Sequence, residues 1–176
     1  MVSIKIKTMK EGDIILVSKP KKGLYNKIVP QGIRWFTQFE YHHAALVGIH
    51  NDELWIYESV FSGFKPTKSL AEYERYIIED GINIKRIPKS RSLNITEFRK
   101  RLFELVGAPY DFMSLLIWHP IYQLSKRFGK SWWFGKRGPA AKNKSVCTES
   151  IAYIVGIPNW WTYTAKDLYD YYRNKI

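Results

Sequence analysis

With 176 residues and 45% hydrophobic side chains, the chain is long enough to bury a sizeable core, and its composition excludes a disordered protein. One cysteine excludes a disulfide within the chain, and a formal net charge of +12 implies attraction to an anionic partner. No linker or internal repeat divides the chain, so we predict a single domain over residues 1–176.

The first half of the chain predicts a small β-sheet. A turn precedes the short apolar run Ile14–Val17, which is typical of a buried strand. Two further β-rich runs, 41–49 and 54–60, are separated by the polar residues 51–53 and predict a hairpin. Alternating apolar residues over 82–87 predict another strand.

Helices are predicted where apolar residues recur every three or four positions behind a capping residue. Asn94 and Glu97 have the spacing of a capping box, and the apolar stripe that follows them stops at Gly107. Thr164 begins a short terminal helix, with Asp167 placed to favour its N-terminus. Shorter helices are predicted over residues 32–39 and 69–76.

The only cysteine, Cys147, lies at the predicted start of a buried helix. Ser145 is the predicted N-cap, the apolar residues that follow recur at helical spacing, and Gly156 with Pro158 is a stop signal. Backbone N–H groups in a first helical turn stabilise an anion, which lowers the pKa of a thiol. Cys147 is therefore a candidate nucleophile, and the alternative is a small residue of the core.

A thiol nucleophile needs a base, and the base needs a partner that orients its ring. His42 and His43 begin one strand of the predicted hairpin, and Glu58 lies on the other strand. Adjacent residues of a strand point to opposite faces, so His43 shares the inner face if Ala45 and Val47 point inward. Taken one at a time, each histidine and the glutamate also suits a surface role.

Histidine spacing predicts no metal site. The adjacent histidines diverge from each other, and no second cysteine is available. His50 and His119 are assigned no catalytic role, and we expect no cofactor.

Residues 112–144 form a basic and aromatic segment without Asp or Glu. Its apolar part is too short for a transmembrane helix. The pattern suits contact with anionic lipid, and it equally suits a core helix followed by a solvated basic loop. The candidate membrane or anion contacts are Trp118, Lys126, Arg127, Lys130, Trp132, Trp133, Lys136 and Arg137.

The N-terminal residues 1–11 lack the apolar core of a signal peptide, so we predict a cytoplasmic protein, either free or peripheral to a membrane. The charge would also suit nucleic acid, but the chain contains no recognised nucleic-acid motif. Phospholipid headgroups of a membrane surface and an anionic cell-wall polymer are the remaining candidate anionic partners.

Six short segments are informative when they are taken together. They are Gly12-Asp13-Ile14-Ile15, His43-Ala44-Ala45-Leu46-Val47, Ile56-Tyr57-Glu58-Ser59, Gly107-Ala108-Pro109-Tyr110-Asp111, Cys147-Thr148-Glu149-Ser150 and Thr164-Ala165-Lys166-Asp167-Leu168. These segments resemble, in the same order, motifs of the circularly permuted NlpC-type papain-like cysteine hydrolases, especially the YiiX-like branch. Ser150 and Ala165 depart from the residues that are usual in these motifs, and segment 112–144 is similar to an insertion.

The resemblance implies an α+β, permuted papain-like fold in which a small antiparallel sheet or barrel packs against helices. It implies that Cys147 is the nucleophile, His43 the base and Glu58 the residue that orients the base, with His42 as the alternative base. The oxyanion would be bound by the backbone N–H of Cys147, and Tyr110 is a candidate additional donor.

The activity implied by the resemblance is that of a hydrolase or acyltransferase acting on an amide or ester through a thioester of Cys147. Peptidoglycan peptides and lipid-linked compounds are the candidate substrates. The alternative is a non-catalytic module that uses the same scaffold to bind an anionic surface, either lipid or nucleic acid.

Overall fold

The computed structural model describes residues 6, 8–18, 39–111, 121, 146–158, 160 and 163–174. The predicted helix over 32–39 and the basic segment 112–144 lie almost entirely outside these residues. The elements are β1 (Ile14–Val17), β2 (His43–His50), β3 (Glu53–Val60), β4 (Gly63–Ser69), α1 (Leu70–Asp80), β5 (Ile84–Ile87), α2 (Ile95–Leu105), α3 (Cys147–Ile154) and α4 (Ala165–Arg173).

The strands form one five-stranded sheet in the order β4-β3-β2-β1-β5, and every neighbouring pair is antiparallel. The predicted hairpin is confirmed as β2 and β3. Its two turn residues, Asn51 and Asp52, have φ values of 50° and 62°. Two successive positive φ values are what a type I′ turn requires, and Asn and Asp tolerate them best after glycine.

Strand β4 was not expected from the sequence, because Pro66 and two lysines are unfavourable in the interior of a sheet. The strand lies at the edge of the sheet, where a proline interrupts no ladder on its outer side. At the start of β4 the chain contacts the segment that follows α2. The backbone N–H of Phe64 donates to the carbonyl of Ala108 at 2.9 Å, and the N–H of Gly107 donates to the carbonyl of Phe64 at 2.8 Å.

The Gly12-Asp13 turn is held by the buried carboxylate of Asp13, which connects β1 to β5. This carboxylate accepts hydrogen bonds from Arg86 Nε at 2.8 Å and from the backbone N–H groups of Lys10 and Lys89 at 2.8 and 2.9 Å. A carboxylate that receives this many donors is satisfied although only 1% of the residue is exposed. Asp13, the acidic residue of the segment Gly12-Asp13-Ile14-Ile15, therefore has a structural role.

The sheet is covered on both faces, and the residues of each strand alternate between the two. Helices α2, α3 and α4 pack on one face, and α1 packs on the other. His43 is on the α1 face with Ala45 and Val47, as the alternation along β2 predicted. The α1 face is built from Ile15, Val17, Ala45, Val47, Ile56, Tyr73 and Ile77, and the opposite face from Ile14, Leu16, Ala44, Leu46, Tyr57, Phe64, Phe98, Leu102, Ile151 and Leu168.

The helix starts follow the predicted capping chemistry in most places. The side chain of Asn94 accepts from the N–H groups of Thr96 and Glu97, and Thr164 forms a full capping box with Asp167. The predicted helix 69–76 begins as expected after Ser69, which also forms a capping box, and it continues to Asp80.

Candidate active site

Helix α3 begins at Cys147, but its N-cap is Val146 and not the predicted Ser145, which lies outside the described residues. The apolar side chain of Val146 makes no capping hydrogen bond. Val146 therefore supplies no side-chain cap to the first turn, where the backbone N–H of Thr148 donates to the sulfur of Cys147. Cys147 itself is 6% exposed.

Ser150 fixes the start of α3 against the sheet. Its hydroxyl donates to the carbonyl of Val146 at 2.8 Å and lies 3.2 Å from the hydroxyl of Ser59 on β3. Both serines are buried. An apolar residue is usual at the position of Ser150 in the motif that the segment resembles. The polar side chain of Ser150 is explained here by its polar partner Ser59 on β3.

His43 and Glu58 form a close pair on neighbouring strands. The distance between His43 Nε2 and Glu58 Oε2 is 2.7 Å. The register pairs Leu46 with Tyr57, and its continuation by one residue pair makes His43 the diagonal neighbour of Glu58 on the α1 face. Side chains at such positions are within reach of each other when they are long.

The thiol of Cys147 contacts the imidazole of His43, which is the first residue of β2. The two side chains are hydrogen-bonded, and the backbone N–H groups of Ala44 and Thr148 also donate to the sulfur. Because Nε2 of His43 is engaged by Glu58, Nδ1 is the ring nitrogen available to the thiol. The three predicted residues are thus joined in the order Cys147, His43, Glu58.

The pKa values of this pair shift toward the charged form of each partner. Burial lowers the pKa of His43, but the neighbouring Cys147 thiolate and then Glu58 outweigh burial and raise it from 6.5 to about 10. Burial raises the pKa of Cys147, but the charge and hydrogen bond of His43 outweigh burial and lower it below 9.0. Both shifts favour the thiolate form of Cys147 and the imidazolium form of His43 over the neutral forms.

Thr67 is a contact of this group that sequence reasoning missed. Its hydroxyl donates to Glu58 Oε1 at 2.8 Å. The pairing of β3 with β4 shifts between Ile56 and Tyr57, which pair with Lys68 and Pro66, so Thr67 is the extra residue of a β-bulge. No sequence signal indicated Thr67, because β4 itself was not predicted.

The other candidate residues have separate environments. His42 donates its backbone N–H to the carbonyl of Val17 at 3.0 Å, and the contacts with Glu58 and Cys147 are made by His43. The ring of Tyr110 lies 6.1 Å from that of Phe61, and its assignment as an oxyanion donor stays a prediction. The eight predicted membrane or anion contacts, from Trp118 to Arg137, lie outside the described residues.

Neither a metal cluster nor a membrane span is found in the part of the chain that the structure describes. No three His, Cys, Asp or Glu side chains there are grouped to hold a metal ion. No helix there is long and apolar enough to cross a membrane. No protein-family model matches the sequence, and no curated protein matches it either.

Proposed function

We propose that this protein is a thiol-dependent hydrolase or acyltransferase that forms a thioester on Cys147. The observation that carries the proposal is a chain of two contacts. Cys147 is hydrogen-bonded to His43, and His43 Nε2 lies 2.7 Å from Glu58 Oε2. A nucleophile, a base and a group that orients the base are the components that acyl transfer by a thiol requires.

In the first half of the reaction, the thiolate of Cys147 attacks the carbonyl carbon of an amide or ester. A carbon–sulfur bond forms, and the carbonyl electron pair becomes an oxyanion that the N–H groups at the start of α3 can stabilise. The oxyanion then collapses and expels the amine or alcohol. His43 donates its proton to this leaving group, which leaves a neutral imidazole and a thioester.

In the second half, the neutral imidazole of His43 takes a proton from the incoming acceptor. The acceptor oxygen or nitrogen attacks the thioester carbon, and the thiolate of Cys147 leaves. If the acceptor is water, the reaction is hydrolysis; if it is an alcohol or amine, the reaction is acyl transfer. Glu58 stays ionised and holds the ring of His43 in one orientation throughout.

The finer part of the proposal is that the fold is the permuted papain-like fold of the NlpC type. Its support is the order of the six motifs, with the histidine strand before the cysteine helix, and the packing of α3 against the antiparallel sheet. The Gly107–Asp111 motif lies beside β4, where Gly107 and Ala108 bond to Phe64. Peptidoglycan peptides and lipid-linked amides or esters remain the proposed substrate classes.

The proposal is tested with activated acyl esters and amides of several chain lengths as probes. Intact-mass spectrometry should detect one acyl adduct on the parent and none on Cys147→Ala. His43→Ala should lower the rate of acylation by about 100-fold or more, which is the usual contribution of a general base. His50→Ala is the matched control, because His50 contacts Trp55 and Tyr57 at the other end of β2 and should keep the parent rate. An unchanged rate in Cys147→Ala would refute the proposal.

The net charge of +12 favours one second candidate, a non-catalytic module that binds an anionic surface. This candidate predicts binding to anionic vesicles without any dependence on His43 or Cys147. The enzyme proposal predicts a reactive thiol whether or not vesicles bind.

A further inference from the structure

We propose that Thr67 is a positioning residue, whose hydroxyl holds Glu58 in the orientation that Glu58 presents to His43. This inference rests on the proposed function and adds a fourth residue to its site. Thr67 acts through Glu58 and does not touch the reacting atoms.

The two oxygens of Glu58 receive two different donors. Oε1 accepts from Thr67 Oγ1 at 2.8 Å, and Oε2 lies 2.7 Å from His43 Nε2. Because these two contacts lie on different oxygens, rotation of the carboxylate about its last torsion would break both of them. The hydroxyl of Thr67 therefore fixes the plane in which Glu58 meets the imidazole.

Glu58 is 7% exposed, so water is a poor substitute for the hydroxyl. Loss of a hydrogen-bond donor to a buried carboxylate oxygen costs free energy, because the oxygen stays removed from bulk water. Removal of the hydroxyl should therefore weaken the support that Glu58 gives to the charged pair of His43 and Cys147.

The backbone of β4 directs Thr67 toward this contact. The hydroxyl has a single proton and two acceptors in range, Glu58 Oε1 at 2.8 Å and the carbonyl of Ile56 at 3.3 Å. The shorter contact is to a charged acceptor, which makes the stronger hydrogen bond. The β-bulge at Thr67 sets its side-chain direction independently of the neighbouring pairs.

The test uses the rate at which iodoacetamide alkylates the sole cysteine, measured from about pH 5 to about pH 9. Thr67→Val keeps the shape of the side chain and removes the hydroxyl. We expect the alkylation rate at about pH 6 to fall about fivefold and the inflection of the profile to move to higher pH, as for loss of a charge-assisted hydrogen bond. Thr67→Ser keeps the hydroxyl and should stay within about twofold of the parent.

A purely structural role would affect stability and leave the pH profile unchanged. Ser69→Ala is the matched control, because Ser69 also lies on β4 and its hydroxyl caps α1. This variant should lower stability without moving the alkylation profile. If Thr67→Val does not fold, the comparison of Thr67→Ala with Thr67→Ser tests the same hydroxyl.

Parallel measurements on Glu58→Gln and His43→Ala separate the two proposals. A parent-like profile for Thr67→Val beside a shifted profile for Glu58→Gln would overturn the role of Thr67 and leave the proposed function standing. A Thr67→Ser profile that matches Thr67→Val would overturn it as well. A cysteine that is indifferent to Glu58→Gln and His43→Ala would refute the proposed function itself.

Discussion

At the scale of single residues, the central feature is the contact between a buried thiol and a buried imidazole. Burial opposes charge on both groups, yet the pKa of Cys147 is lowered and that of His43 is raised to about 10. Each charge stabilises the other, and Glu58 and two backbone N–H groups add to this. The charged forms of the pair are therefore favoured by proximity rather than by exposure.

This pair should make the free energy of unfolding depend on pH in a characteristic way. The contribution of His43, whose pKa is raised, is fully present below about pH 6.5 and is lost as the pH rises through about 10. The contribution of Cys147, whose pKa is lowered, is present above about pH 9.0 and is lost as the pH falls through the lowered value. The two contributions therefore change in opposite directions as the pH rises.

We expect the stability difference between the parent and a Cys147→Ala, His43→Gln double variant to fall as the pH rises from about 9.0 through about 10. In this range the folded parent still holds the proton of His43, whereas the unfolded parent has lost it. Urea unfolding at a series of pH values measures the difference. A difference that stays constant over this range would contradict the raised pKa of His43.

At the scale of elements, the position of Cys147 depends on how α3 packs. The helix has eight residues, too few to be stable alone, so tertiary contacts must hold it. Ile151 is fully buried against the sheet, and Ser150 contacts Ser59 on β3. These contacts place Cys147 beside His43, which is the first residue of β2.

Ile151→Ala should therefore destabilise the protein by about 2–5 kcal/mol, the usual cost of a cavity in a packed core. Ile78→Ala is the matched control, because it makes the same chemical change on α1, where Ile78 is 58% exposed. The control should change stability by about 0.5 kcal/mol or less. Thermal or denaturant unfolding of both variants decides the matter, and equal losses would contradict the packing described for α3.

At the scale of the whole molecule, a sheet covered on both faces is combined with a strongly basic charge. Attraction to an anionic surface is long-ranged at low salt and is screened within about 10 Å at 0.1 M ionic strength. The segment 112–144 has the concentration of Lys, Arg and Trp that favours such a surface. If the overall charge causes the attraction, removing lysines inside or outside this segment should weaken binding equally. If the segment causes it, only removal inside the segment should weaken binding strongly.

If the segment binds lipid, replacing Lys126, Lys130 and Lys136 with alanine should weaken co-sedimentation with phosphatidylserine vesicles about tenfold or more at low salt. A control that replaces the exposed Lys65, Arg91 and Lys100 removes the same charge and should retain most of the binding. Equal losses in the two variants would mean that only net charge matters. No binding by the parent at low salt would contradict a membrane role.

Local patterns were sufficient to predict the hairpin, most of the helix starts, and Cys147, His43 and Glu58 as candidates. The Asn51-Asp52 turn, the alternation along β2 and the capping pair Thr164 and Asp167 are each encoded within a few residues. Short-range chemistry of this kind acts before any tertiary contact forms. It therefore leaves a visible pattern in the sequence.

Only the tertiary structure decided which of these residues meet. It joined His43 rather than its neighbour His42 to Glu58 and Cys147, because strand register and helix packing act between residues far apart in the chain. Thr67 lies in a bulge of an edge strand that contains a proline, so neither propensity nor periodicity indicated it. The amino-acid sequence by itself determined which chemical groups the candidate site contains, and the packing of α3 and β4 against the hairpin determined their contacts.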